Sequence, residues 1–175
     1  SSSGHVATTG VPDADRCSGG VTARYSHTNL VARNWKRLLA FYQDVLGCIS
    51  IGETRDLRGE WLERLTGIEK VHVVGEHLCL PGYGDAGPTL EIFSYEPQGA
   101  IYHLMPNAAG FAHIAFLVDD MHAVLQRLLA AGGSQVGDLI RQPYADGRVL
   151  TAVYARDPEG NIIEIQNWSR VSDSG

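Results

Sequence analysis

The stretch GFAHIAFLVDD, residues 110–120, reads as a strand that runs into the start of a helix. Ile114, Phe116 and Val118 alternate onto one face. The stripe that follows (Met121, Val124, Leu125, Leu128, Leu129) has helical spacing and is placed to cover that face. Asp119 or Asp120 can cap this helix, and Gly132–Gly133 can stop it. His113 therefore points the other way, into whatever the strand's second face encloses.

The stretch YSHTNLVARN, residues 25–34, makes the same arrangement earlier in the chain. A strand over Val21–Ala32 carries His27 on the face opposite Leu30. A helix stripe follows at Trp35, Leu38, Leu39, Tyr42, Val45 and Leu46, with Asn34 as cap and Gly47 as stop. His27 to Gly47 spans 20 positions, and so does His113 to Gly133. After the first helix, strands are expected at Cys48–Thr54, Lys70–Leu80 and Pro88–Tyr95, with a short helix at Leu57–Leu65. After the second, they are expected at Gln135–Arg141, Val149–Ala155 and Asn161–Trp168. The tetrapeptide DPEG at 157–160 suits a type I turn between the last two strands. The chain thus divides into an N-terminal arm (1–21, expected flexible), a βαβββ module (22–96), a linker (97–109), a second βαβββ module (110–168) and a tail (169–175). A repeat of this kind implies an α+β fold whose half-open sheets bury their faces by pairing.

The last strand of each module carries a carboxylate among apolar residues: Glu91 in TLEIFSYE (89–96) and Glu164 in NIIEIQNW (161–168). A lone buried carboxylate is costly unless it has a partner. His27 to Glu91 is 64 positions and His113 to Glu164 is 51; the difference, 13, is about the length of the extra helix. A single histidine or glutamate on a strand more often serves packing or faces solvent. The ordered His-then-Glu pattern, made twice, points instead to one divalent metal ion held by His27, Glu91, His113 and Glu164, with positions left for a small-molecule substrate. Asn29, Phe93 and Gln166 alternate with these ligands and are expected to line the cavity. His72 and His77 fall on a middle strand, His122 on a helix, His5 in the arm and His103 in the linker, outside the pattern.

Composition excludes other classes. The net charge of −6 over 175 residues gives no basic face for nucleic acid. No run of 18 apolar residues exists to span a membrane. Residues 1–20 hold no apolar leader segment, and Cys17, Cys48 and Cys79 are odd in number without metal-knuckle spacing, so a reducing cytoplasm is expected.

On HTNLVARNWKRLLAFYQDVLG, GFAHIAFLVDD and DPEGNIIEI, in order and spacing over about residues 22–168, the sequence resembles the vicinal oxygen chelate superfamily: glyoxalase I, epimerases, extradiol dioxygenases and fosfomycin- and bleomycin-resistance proteins. The resemblance implies two βαβββ modules forming a curved, barrel-like mixed sheet around a metal cleft, and a homodimer. It places the ligand positions on His27, Glu91, His113 and Glu164, with Zn, Ni, Co, Mn or Fe as the ion. Four filled positions favour the glyoxalase I-like lyase or isomerase branch, in which a proton moves next to a metal-bound carbonyl. Glu164 is then the first choice of base and Glu91 the second. The alternatives are an Fe(II) ring-cleaving dioxygenase using His27, His113 and Glu164, and a non-catalytic small-molecule binding or resistance protein. Where bacterial glyoxalase I holds the glutathione carboxylates, this chain has Val31 and Tyr95, with Arg33 or Arg55 the available substitutes. Glutathione is therefore not expected as the dedicated co-substrate.

Overall fold

A computed structural model describes residues 23–171. The expected arm and Cys17 lie outside the described residues, as do residues 172–175 of the tail.

Ten strands and three helices follow in the order β1 (His27–Val31), α1 (Trp35–Leu46), β2 (Ile49–Ser50), β3 (Arg55–Arg58), α2 (Glu60–Thr66), β4 (His72–Cys79), β5 (Thr89–Glu96), β6 (His113–Leu117), α3 (Met121–Ala130), β7 (Ser134–Gln135), β8 (Ile140–Pro143), β9 (Arg148–Arg156) and β10 (Ile162–Arg170). Asn34 caps α1 by accepting from the Arg37 N–H. Gly47, at φ 72°, ends it by donating to the carbonyls of Gln43 and Tyr42, a left-handed conformation that suits glycine. Asp120 caps α3 in the same way through the Ala123 N–H.

The two modules make two five-stranded mixed sheets. The first has the order β1-β5-β4-β2 with β3 also on β4; the second has the order β6-β10-β9-β7 with β8 also on β9. In each, the first strand lies parallel to the last, so a helix must cross over between them. The paired-module architecture is as expected, but the two sheets are separate and do not close into a barrel.

Several strands are shorter or divided. The first is five residues rather than Val21–Ala32, and Phe111 and Ala112 stand outside β6. The expected strand Cys48–Thr54 keeps only Ile49–Ser50. Leu57 and Arg58, expected to begin the short helix, instead join Arg55 and Asp56 in a strand that pairs with β4, and the helix starts after Gly59. The stretch 135–141 splits into β7 and β8. The DPEG turn forms, with Gly160 N–H donating to the Asp157 carbonyl, and β9 and β10 make the expected hairpin.

One continuous core unites the modules. Leu38, Tyr42, Val45 and Leu46 of α1 and Val124 and Leu128 of α3 pack with Leu78, Leu90 and Ile92 of the first sheet and with Val153, Ala155, Ile163 and Ile165 of the second. Each fully buried Leu or Ile there contributes roughly 1.5–3 kcal/mol. Both sheets thus turn their helix-covered sides toward the same core. By alternation, Glu91 and Glu164, each between two core residues, face away from it. A smaller core sits on the open side of the first sheet, where Leu62 of α2 packs on Val71, Val73 and Phe93. The short helix therefore walls that face.

Candidate metal centre

Cross-strand register explains which side chains meet. On the open face of the first sheet, His27 and Asn29 of β1 neighbour Thr89 and Glu91 of β5, and His77 of β4 stands directly opposite Glu91. His27 Nε2 lies 2.6 Å from Glu91 Oε1, and His77 Nε2 lies 2.8 Å from Glu91 Oε2. Glu91 is buried, at 8% exposure, and these two imidazoles offset the cost of its burial. The His77 ring also meets His27 and Phe93 edge-on, at 6.2 and 5.7 Å between centroids. Burial pulls the His77 imidazole below its ordinary value; Glu91 opposes this, while Arg55 and His27 reinforce it.

The second sheet holds the matching pair. His113 Nε2 lies 3.3 Å from Glu164 Oε2. Tyr154 stands opposite Glu164, where His77 stands opposite Glu91, and its ring meets that of His113 at a tilt of 42°, with 4.8 Å between centroids.

The sequence reading expected all four ligands in one shell. The structure brings together His27 with Glu91, and His113 with Glu164, but not the two pairs. Among the described residues, no three His, Cys, Asp or Glu side chains gather in a way that holds a metal ion. The physical reason is the shared core: with both helix-covered sides turned toward it, the two His–Glu faces open away from it. His27 and His113 do line a common cleft of about 700 Å³ beside β1 and β6, the edge strands of the two sheets, together with Asn29, Leu104, Phe111 and Ile162.

Of the expected lining residues, Asn29 borders this cleft. Phe93 is buried under α2 and backs His77 instead. Gly75 makes room for it, since a Cβ there would run into the Ile92 carbonyl and the Phe93 ring. Gln166 accepts from Trp168 Nε1 at 2.7 Å. Arg33 is engaged by Glu159 at 3.1 Å.

His77 is the residue that sequence reasoning missed. The signal was present: the turn joining the two expected strands is centred on Gly84, seven residues from both His77 and Glu91, which makes them cross-strand partners.

The sequence profile of the glyoxalase/bleomycin resistance protein/dioxygenase superfamily matches residues 24–165. The chain belongs to this superfamily. A probable lactoylglutathione lyase of Vibrio parahaemolyticus is 28% identical over 153 residues, covering 82% of this chain and 91% of that protein. Among solved structures, a glyoxalase family protein from Bacillus cereus superposes with a TM-score of 0.72 at 22% identity, covering 87% of this chain and 97% of that one. A genomically encoded fosfomycin resistance protein of Listeria monocytogenes, solved with Mn(II) and a dihydroxypropylphosphonic acid, superposes at 0.52 with 16% identity, covering 83% and 92%. At these identities the superpositions establish the glyoxalase-type fold. No helix among the described residues is long and apolar enough to cross a membrane.

In glyoxalase-type terms, the donor chemistry fits a divalent transition-metal ion. Two imidazole nitrogens and two carboxylates form a borderline N/O set, and each sheet sets a nitrogen beside an oxygen. What a single chain lacks is the meeting of the halves.

Proposed function

We propose that this protein is a metal-dependent lyase or isomerase that moves a proton next to a carbonyl group of a small molecule. The observation that carries the reading is the imidazole–carboxylate pair on the open face of each sheet. His27 and Glu91 of one half and His113 and Glu164 of the other would hold one divalent ion of the Zn, Ni, Co, Mn or Fe group. Mn(II) in the Listeria relative is in keeping with that choice. Bound there, the ion supplies Lewis acidity toward a substrate oxygen. Glu164 takes the proton from the adjacent carbon and returns it to the neighbouring one, and Asn29 offers a hydrogen bond that orients the substrate. The reducing cytoplasm suits the free thiols Cys48 and Cys79. Burial, helped by Cys79, pushes the Cys48 thiol up to about 12, so it stays protonated and inert.

The test follows deuterium from solvent. Metal-loaded protein is incubated in D₂O with a panel of small hydroxy- and ketocarbonyl compounds that includes methylglyoxal with glutathione. Deuterium should enter the carbon beside the carbonyl, with or without oxygen, and Glu164→Gln should slow this by about 10²–10⁴-fold. The glutathione hemithioacetal should turn over weakly, since Val31 and Tyr95 provide no cation and Arg33 is engaged by Glu159. Oxygen consumption with ring cleavage would favour the dioxygenase reading instead.

The same reading requires a second copy of the chain. Each single chain presents two half-sites that do not meet, and Val31 and Leu117, on the same faces as His27 and His113 in the edge strands, are exposed. Pairing two copies would bury these edges and join the halves. Light scattering at micromolar concentration should give twice the chain mass; a monomer that binds metal tightly would refute the shared site.

A further inference from the structure

We infer that His77 is a positioning residue that pins Glu91 as a fixed, one-oxygen ligand, so that the two glutamates of the repeat have unequal roles and Glu164 is the one freer to carry the proton. This rests on the metal reading above.

The two modules place equivalent residues at equivalent register, which makes the difference between them visible. Opposite Glu91 stands His77; opposite Glu164 stands Tyr154. Around Glu91 both carboxylate oxygens are engaged. His27 lies on Oε1 at 2.6 Å and His77 on Oε2 at 2.8 Å. An imidazole N–H on Oε2 fills one of that oxygen's lone pairs and holds it toward β4, so Oε1, the oxygen beside His27 Nε2, is the one left to face a metal ion. Chelation through both oxygens, or an outward swing, would have to disturb the His77 contact.

His77 is itself held. Its ring abuts Phe93, which is buried with Val73 under Leu62 of α2, and its Nδ1 lies 3.5 Å from Thr89 Oγ1. The extra helix of the first module, which has no counterpart in the second, thus backs His77 through Phe93. Histidines and carboxylates that orient a ligand from behind typically change metal affinity by about 10–100-fold when removed.

Glu164 has no such anchor. Its sole polar partner among the described residues is His113, at 3.3 Å, and Tyr154 presents its ring to His113 rather than its hydroxyl to Glu164. A general base must come within hydrogen-bond reach of the proton it takes. Of the two glutamates, Glu164 is the less constrained in doing so.

The experiment measures Co(II) binding to the full chain by chelator competition, together with the visible absorption of bound Co(II) and the melting temperature of the metal-free protein. His77→Phe keeps a flat ring and removes the donor; His77→Leu is a second donor-less variant in case the larger ring disturbs folding. His77→Gln restores an N–H. The donor-less variants should bind Co(II) about 10–100-fold more weakly. Their absorption should also fall, as Glu91 becomes free to chelate through both oxygens and raises the coordination number. His77→Gln should recover most of the affinity and the spectrum, and Tyr154→Phe should change neither. Wild-type affinity and spectrum in the donor-less variants would overturn the role of His77 and leave the metal site standing. So would a loss that follows the melting temperature and is not rescued by His77→Gln. Failure of the unaltered protein to bind Co(II) would remove the metal reading and this inference with it.

Discussion

Protein carrying both His27→Ala and His113→Ala is expected to lose tight divalent-metal binding altogether. Structural four-ligand zinc sites draw on about 10–16 kcal/mol of binding free energy, which sets the scale for losing ligands here. Removing two of four ligands should forfeit roughly 5 kcal/mol or more, on the order of 10⁴-fold or more in affinity. The metal-free melting temperature should fall only modestly, because both imidazoles lie outside the shared core and His77 still partners the buried Glu91 once His27 is gone. The single variants decide how the site is assembled. If the His27–Glu91 half of one copy meets the His113–Glu164 half of another, a mixed dimer of His27→Ala and His113→Ala chains contains one site lacking both histidines and one intact site. Mixing equal amounts of the two inactive proteins under conditions that exchange subunits should restore one metal ion per mixed dimer, about half an ion per dimer over the whole sample. A site closed within each chain could never be restored by mixing. Metal retained by the double variant, measured by elemental analysis, would dispose of the ligand assignment itself.

The parts of this design that were legible in the sequence are those governed by local periodicity. The stripe from Trp35 to Leu46, its Asn34 cap and its Gly47 stop follow from side-chain spacing and from the conformations that asparagine and glycine accept. Alternation on β5 and β10 put Glu91 and Glu164 on the faces opposite Leu90, Ile92, Ile163 and Ile165, where the structure has them. The pairing of His27 with Glu91 and of His113 with Glu164 follows from the same order made twice. What local pattern does not carry is the relation between the modules. A helix stripe says that a sheet is covered, not whether two covered sheets share one core. That long-range choice separates the half-sites within one chain. The division of residues 135–141 around Gly137, and the pairing of Arg55–Arg58 with β4, depend on neighbours far along the chain in the same way. His77 is hidden for a different reason. It breaks the repeat, having Tyr154 as its counterpart, and a repeated pattern carries no sign of a position where the halves differ.

The largest stability effect is expected away from the proposed metal ligands, at Asp157. This carboxylate is 3% exposed and accepts four hydrogen bonds: from Tyr42 Oη at 2.7 Å, Asn161 Nδ2 at 2.8 Å, the Glu159 N–H at 2.9 Å and the Asn161 N–H at 3.0 Å. It ties the turn of the second module to the middle of α1 in the first. Two residues on, Glu159 accepts from the Arg33 and Asn34 N–H groups and holds the start of the same helix. Asp157→Ala leaves the fully buried Tyr42 hydroxyl without this acceptor, which costs about 1–3 kcal/mol, and frees the turn besides. A total of roughly 3–4 kcal/mol would lower the melting temperature by on the order of 10 °C in a chain of this size. Tyr42→Phe removes one of the four donors and should cost less, about 1–2 kcal/mol. The pH dependence has a definite sign. Burial raises the Asp157 carboxyl above its ordinary value, and its hydrogen bonds only partly oppose this. A carboxyl raised in the folded state contributes stability that is complete below the unfolded value of about 3.9 and declines as pH rises through the folded one. The gap in melting temperature between the unaltered protein and Asp157→Ala should therefore be widest in acid and narrow toward neutral pH. A gap that instead widened as pH rose would mean that the folded protein prefers the ionised carboxylate. The four donors, rather than burial, would then dominate at this site.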